Sequence, residues 1–426
     1  MKIKFLGAAS GIVTGSSYIL TSGGGNSILI DLGMFQGIPE IDKLNYEPYD
    51  FDCKKLVGAV LTHAHLDHCG RLPILLPKGF EGNIWMTPAT KELTELSLYD
   101  TAKIAKFSDK PVLFNKDDVE KIIEKFKTVE YHETFEIGDF KITMRDAGHI
   151  LGSASLEIED KAFLGSEIKK IVFSGDLGNS PEPLERPTET FENADAVVME
   201  STYGDRLHPK GDPALSVQSE INTIEKTGGT LLIPAFSLER TQELLQIIMH
   251  LRKNNLIKLN TPIFLDSPMA EKATSIYTKY LDKQFEFTEF TGGASPEVII
   301  AGGGMMTGGR IVNHAATYLP IASTRLLIVG YQGEGTLGRE LQGGNKKVII
   351  NGLPVEVKAA VTSIETMSSH ADQSQLISWL KNIQNVKKLF LTHGEDSSRA
   401  TLAKKIKEDL GLNDITLPVL SQEVQL

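Results

Sequence analysis

Residues 62–68 read Thr-His-Ala-His-Leu-Asp-His, directly behind the apolar run Lys55–Thr62. A short apolar run of this kind reads as a buried strand, so three imidazoles and a carboxylate are displayed at a strand end. Side chains two apart in extended chain share a face, which aims His63 and His65 at one point. Asp67 and His68 come after the chain turns and face a second point beside it. Imidazole and carboxylate suit Zn2+, at about 2.0–2.2 Å per ligand. Any fold for this chain must therefore bring further ligands from distant sequence to the same strand edge.

Candidates for those ligands stand in the right local contexts. His149 opens a loop before a strand, Asp176 follows the strand Ile171–Ser174, and His393 follows the strand Val386–Leu391. His370 precedes a helix, Asp31 follows Ser27–Ile30, and Glu200 follows Ala196–Met199. Taken singly, an Asp or His at a strand end is a cap or a solvated turn residue. Taken together, six of the ten histidines stand at strand–loop junctions, which is the pattern of one shared site at a sheet edge. His132, His208, His250 and His314 lack that context and are given no role.

The chain's texture changes twice. Up to about residue 205 it is strand-rich, with helical spacing at Thr90–Lys106 and Lys116–Lys127. Then strands and helices alternate: Thr230–Phe236, a helix Leu238–Arg252 capped by Ser237, strands Pro262–Leu265, Glu297–Ala301 and Arg325–Tyr331, and a helix near Ile311–Tyr318. Such alternation predicts a parallel sheet covered by helices, with its ligand crevice at the carboxyl ends of the strands. Beyond residue 346 a hairpin (Lys347–Ile350 and Val355–Val361), a helix Gln373–Ile383, a strand and a last helix Ser398–Leu410 resume the first texture. The expected architecture is α/β, with residues 1–205 and 366–426 forming one domain and 206–365 inserted into it.

Charge limits the partners. Lys+Arg 44 against Asp+Glu 55 leaves −11, the wrong sign for a protein that coats nucleic acid nonspecifically. A nucleic-acid substrate would need a local positive site, such as bound metal and a few arginines. No apolar stretch nears the ~18 residues of a membrane span, and MKIKFLGAASG is too short an apolar start for a signal peptide. With only Cys53 and Cys69, a disulfide scaffold is excluded and a reducing cytoplasm is expected.

These residues, with Ile233-Pro234-Ala235-Phe236-Ser237, Asp266-Ser267-Pro268, Gly304-Met305 through Gly309-Arg310 and Gly330-Tyr331-Gln332 through Arg339, resemble the β-CASP branch of the metallo-β-lactamase superfamily over essentially the whole chain. The resemblance is to short prokaryotic ribonucleases related to the cleavage-and-polyadenylation endonuclease. It implies an αββα sandwich with an inserted β-CASP α/β domain. It implies two Zn2+, the first on His63, His65, His149 and Asp176, the second on Asp67, His68, Asp176 and His393. Asp31 would fix a ligand histidine from behind. His370, paired with Glu200, would be the general acid, and Asp67 is counted with them as catalytic. The implied reaction is attack of a di-zinc-bound hydroxide on a phosphodiester of single-stranded RNA, giving 5′-phosphate and 3′-hydroxyl ends, by an endo- or 5′-exonuclease. Ser237, Arg240, Arg310 and Arg339 are candidate phosphate contacts, with surface salt bridges as the equal alternative for the arginines. No membrane partner is implied; a homodimer would enlarge the surface gripping RNA.

Three other readings compete. A thioesterase or lactonase of the same fold would share His63 to Asp176 but leave Glu200, His370 and His393 unexplained. A non-catalytic subunit of an RNA-processing complex would not need every ligand. Gly333-Glu334-Gly335-Thr336-Leu337-Gly338 matches the dinucleotide pattern G-x-G-x-x-G, but that fingerprint opens a helix, and Arg339–Asn345 is expected to run into a strand.

Overall fold

The computed structural model describes the chain apart from residues 49, 108–109, 163–164, 166–167, 180–183, 185, 292, 294, 331, 334 and 365. Tyr331 and Glu334, in the glycine-rich phrase read above, lie outside the described residues. Two compact units form: Met1–Leu207 with Ser369–Leu426, and His208–Ser368.

The first unit is a sandwich of two seven-stranded sheets. One runs Glu423–Gln425, Lys2–Phe5, Ser17–Thr21, Ser27–Leu32, Leu56–Val60, Asn83–Met86, Phe126–Thr128. The other runs Ile415–Thr416, Lys388–Thr392, Ala196–Glu200, Lys170–Phe173, Ala154–Asp160, Phe140–Asp146, Thr134–Ile137. Alternate residues of both sheets, among them Phe5, Ile28, Ile30, Met144, Ile158, Phe173 and Phe390, meet in one core, as period-two strands facing each other require. The opposite faces are covered by the helices Pro88–Ala105 and Lys116–Ile123 on one sheet and Gln373–Lys381 and Asp396–Leu410 on the other. This is the αββα arrangement.

The second unit is a six-stranded parallel sheet ordered Thr288–Glu289, Ile263–Asp266, Glu297–Gly302, Thr230–Ala235, Arg325–Ile328, Ala360–Ser363. Alternate residues of its strands feed two cores, Leu231, Ile233 and Ile300 on one face and Leu232, Ile299 and Ile328 on the other. Helices on both faces complete the α/β layering expected of near-continuous apolar strands. Among the described residues no helix is long and apolar enough to cross a membrane.

Three local expectations need correction. Ser237 does not cap the helix, which begins at Arg240 behind Glu239 at φ +65; the Ser237 hydroxyl lies 3.2 Å from that of Ser267 instead. The hairpin's second strand stops at Glu356, and Ala360–Ser363 joins the parallel sheet. The glycine-rich phrase does open a helix, Leu337–Gln342, capped by the Thr336 hydroxyl. It is six residues long, and the chain runs through the hairpin before it reaches the parallel strand Ala360–Ser363, unlike the single crossover helix of a dinucleotide site.

Candidate metal centre

The site lies wholly in the first unit, at the sheet edge where its bearing strands end. His63 follows the strand Leu56–Val60 by three residues, and Asp67 and His68 sit on the short helix Leu66–Cys69. His149 follows Phe140–Asp146, Asp176 follows Lys170–Phe173, Glu200 ends Ala196–Glu200, and His393 follows Lys388–Thr392. Parallel pairing of the last three strands puts their carboxyl ends side by side. Two close approaches bring the rest in. A Cβ on Gly33 would come within 1.5 Å of the Asp67 carbonyl oxygen, and one on Gly178 within 1.6 Å of the Gly148 carbonyl oxygen. Glycine is required at both.

Two groups of ligand atoms result, His63, His65, His149 and Asp176, and Asp67, His68 and His393. In the first, His65 Nδ1 stands 3.2 Å from His63 Nε2 and 3.1 Å from His149 Nε2. Asp176 Oδ2 stands 3.5 Å from His63 Nε2 and 3.7 Å from His149 Nε2. Ligands of a tetrahedral zinc stand about 3.3 Å apart, from bond lengths of about 2.0–2.1 Å, so these spacings fit that ion. In the second, Asp67 Oδ2 is 3.3 Å from His393 Nε2, and Asp176 Oδ1 is 3.3 Å from His68 Nε2. Both of those last atoms are buried without a hydrogen-bond partner, a costly arrangement that a cation between them relieves. The donor set therefore fits zinc.

His68, His149 and His393 are each held from behind. Asp31, itself at φ +55, accepts from the Thr62 N–H and hydroxyl, both at 2.8 Å, and from His68 Nδ1 at 2.7 Å. His149 Nδ1 meets the Ser369 carbonyl at 3.1 Å, and its N–H donates to Ser153 Oγ at 3.1 Å. His393 Nδ1 meets the Thr202 hydroxyl at 3.0 Å. Such partners fix which nitrogen faces the metal. Thr62, Ser153 and Thr202 escaped the sequence reading: a hydroxyl beside a turn carries no signal until tertiary structure supplies its neighbour.

Burial depresses the His63 and His149 imidazoles well below the usual range and takes His65 to about 4, leaving neutral lone pairs. Burial alone would do the same to His68 and His393, but the carboxylates of Asp176, Asp31 and Asp67 override it and raise both. Burial would raise Asp67 and Asp176, yet the surrounding imidazoles hold both below the carboxylate range. A cation entering the second group would therefore have to displace protons from it.

Glu200 and His370 form an adjoining pair. Burial would lower His370, but the Glu200 charge and hydrogen bond outweigh it and push it up to about 9. His370 Nδ1 lies 3.2 Å from Glu200 Oε1. Glu200 also accepts from the Leu177 N–H at 2.7 Å and the Thr202 N–H at 3.3 Å. Asp176, Glu200 and His370 are themselves close enough to hold a cation; the two backbone donors already engaging Glu200 favour an orienting role for it.

Of the phosphate candidates, all four lie in the second unit. Arg240 is buried in an ion pair with Glu243. The half-exposed Arg310 pairs with Asp266, whose other oxygen is 2.7 Å from the buried His314 Nε2. Arg339 is exposed, 3.4 Å from Gln342.

Fold and site together define a metal-dependent hydrolase of the metallo-β-lactamase fold carrying an inserted α/β domain. Three family descriptions match the chain: "Metallo-beta-lactamase superfamily" over residues 11–216, "Beta-Casp domain" over 241–341, and "Zn-dependent metallo-hydrolase RNA specificity domain" over 354–418. The chain is 36% identical over 434 residues to ribonuclease TTHA0252 of Thermus thermophilus, spanning 95% of each. It is 31% identical over 444 residues to RNase aCSPSF2 of Saccharolobus solfataricus, spanning 100% of this chain and 85% of that one. Transcription termination factor FttA of Methanocaldococcus jannaschii is 28% identical over 445 residues, 96% of this chain and 69% of its own length. A crystal structure of a protein of unknown function from Enterococcus faecalis shares the fold, with a TM-score of 0.55 at 11% identity, covering 100% of this chain and 99% of that one. The chain belongs to the β-CASP family of zinc-dependent metallo-hydrolase ribonucleases.

Proposed function

We propose that the chain hydrolyses phosphodiester bonds of single-stranded RNA with two Zn2+, leaving 5′-phosphate and 3′-hydroxyl ends. The observation carrying this reading is a pair of ligand groups joined by one carboxylate: Asp176 turns Oδ2 toward His63 and His149 and Oδ1 toward His68. In this reading His63, His65, His149 and Asp176 hold the first ion, and Asp67, His68, Asp176 and His393 the second. Bound there, the ions supply a nucleophilic water at neutral pH and neutralise charge on the scissile phosphate.

The chain's own groups do the rest. Asp31 keeps the His68 proton on Nδ1, and the Ser369 carbonyl keeps that of His149 on Nδ1, so both present Nε2 lone pairs. Glu200 accepts the His370 Nδ1–H and leaves Nε2–H to be given to the departing 3′-oxygen. RNA as substrate is supported by the relatives named ribonuclease. Ser237, Arg310 and Arg339 are proposed to meet substrate phosphates, while Arg240 is already engaged by Glu243. Both cysteines are free and buried, which fits a reducing compartment, and we assign the activity to the cytoplasm.

The test uses one RNA with separate 5′ and internal labels, in 5′-monophosphate and 5′-triphosphate forms, with zinc counted by elemental analysis. Two zincs per chain and 5′-phosphate products are expected. Mononucleotides from the monophosphate form alone define a 5′-exonuclease; internal fragments from both define an endonuclease. Uncleaved RNA at full zinc occupancy, with a thioester hydrolysed, overturns the proposal.

A further inference from the structure

The strand Phe140–Asp146 ends on a carboxylate that the chemistry above leaves unused. Asp146 is 6% exposed, and its Oδ1 accepts the Gly148 N–H at 2.9 Å. Its backbone is fixed from the other side: its N–H donates to Glu189 Oε2 at 3.2 Å, and its carbonyl accepts from the Glu189 N–H at 2.9 Å. Gly148 stands at φ +66. It has no room to relax, because a Cβ there would come within 2.7 Å of Thr188 Oγ1 and 2.9 Å of the Arg186 carbonyl oxygen. Gly148 is the residue before His149.

We propose that Asp146 is a positioning residue for His149. Through the buried Gly148 amide it sets the loop that aims His149 Nε2 at His65 and Asp176. The inference rests on His149 being a metal ligand. Ser153 Oγ fixes the His149 N–H and the Ser369 carbonyl fixes Nδ1; Ala147 is tied to the Ser153 carbonyl and the Gly178 N–H, and Asp146 holds the Gly148 amide, the peptide next to the ligand. A side chain two residues upstream is the one that reaches such an amide, and an ionised acceptor makes the stronger bond. Burial pushes the Asp146 carboxyl up to about 6, against the pull of the Gly148 N–H and Arg186. At neutral pH it still carries its charge.

The test compares the full-length wild type, Asp146→Ala, Asp146→Asn and His149→Ala, each loaded with zinc. It reads zinc retention against a chelator, the absorption spectrum of the cobalt-substituted protein, kcat and KM on RNA, and Tm. Asp146→Ala is expected to weaken zinc retention about 10–100-fold, as loss of a ligand's support does. Its kcat should fall while KM changes by about twofold or less, because no substrate contact is lost. Asp146→Asn keeps the acceptor oxygen and should bring retention back to within about threefold of wild type. Wild-type zinc retention and cobalt spectrum in Asp146→Ala overturn the proposal even if that variant melts early. If the alanine variant does not fold, a folded asparagine variant that sheds zinc overturns it equally. His149→Ala separates the two layers: full zinc content there sinks the ligand assignment, whereas zinc lost in His149→Ala but kept in Asp146→Ala sinks only the role of Asp146.

Discussion

Asp146 costs the fold something as well as serving it. Its carboxyl is raised by burial from 3.8 to about 6, so folding disfavours its charged form. A raised acid contributes its stability below the unfolded pKa and loses it as pH rises through the folded one. At pH 8 the difference of roughly two units amounts to about 3 kcal/mol against the native state. Asp146→Asn removes that cost, so in chelated protein it should raise Tm at pH 8 and lose its advantage near pH 4. Calorimetry at the two pH values decides, and a variant no more stable than wild type at pH 8 refutes the argument. The neighbouring pair makes a different prediction. His370→Ala should keep its zinc and lose about 10²–10⁴ in kcat, the range of a general acid. Loss of zinc from that variant would move His370 into the ligand set, which its nearness to Asp176 permits. At this scale the clustering of the candidate ligands was legible because metal chemistry admits few residue types, and His63, His65 and His68 crowd one segment. Asp146, Thr62 and Thr202 were not, since each acts on a backbone or ring atom that only the folded loop brings near.

At the scale of elements, apolar runs and period-two alternation located the strands, and strand ends located the chemistry. What they could not locate depends on single backbone choices. Glu239 at φ +65 moves the start of a helix to Arg240, and no propensity announces a non-glycine residue there. Val355–Val361 reads as one strand, yet Leu353–Glu356 pairs within the hairpin and Ala360–Ser363 with Arg325–Ile328, because partner choice is a tertiary matter. Glycines at the site are the opposite case, required by contact rather than by dihedral. Gly178→Ala must push the loop of His149 or the loop of Asp176 away, since its Cβ falls 1.6 Å from the Gly148 carbonyl oxygen. It should cost about 3 kcal/mol or more, the range of severe overpacking, and lower zinc retention. Gly308→Ala, exposed with nothing within 4 Å of its Cβ, should change Tm by little. Thermal melts of the two proteins check this pair, and equal tolerance would show that the loops at Gly178 have slack.

For the whole molecule, the insertion of an α/β unit into a strand-rich one was visible as a change of texture, because parallel and antiparallel sheets bury different patterns of residues. The edge of the sheet that holds Lys2–Phe5 was not: Glu423–Gln425 pairs with Lys2–Phe5, and neither segment announces the other. The long reach of the ligands has an energetic consequence. His63 and His393 are 330 positions apart, and a cation that binds both groups binds only the folded first unit. Ligand that binds the native state alone stabilises it by RT ln(1 + [L]/Kd), about 2.7 kcal/mol at a hundredfold excess over Kd. With roughly 2–4 °C per kcal/mol for a unit of this size, saturating one zinc group should raise Tm by roughly 5–10 °C over chelated protein. Hydrogen exchange should show the added protection in strands such as Lys170–Phe173 and Lys388–Thr392, which lead into the proposed ligands Asp176 and His393, while Thr230–Ala235 in the second unit gains little. Asp176→Asn, which weakens the carboxylate common to both groups, should lose most of the zinc-dependent rise. If that variant kept the full rise, Asp176 would not be the residue that joins the two groups.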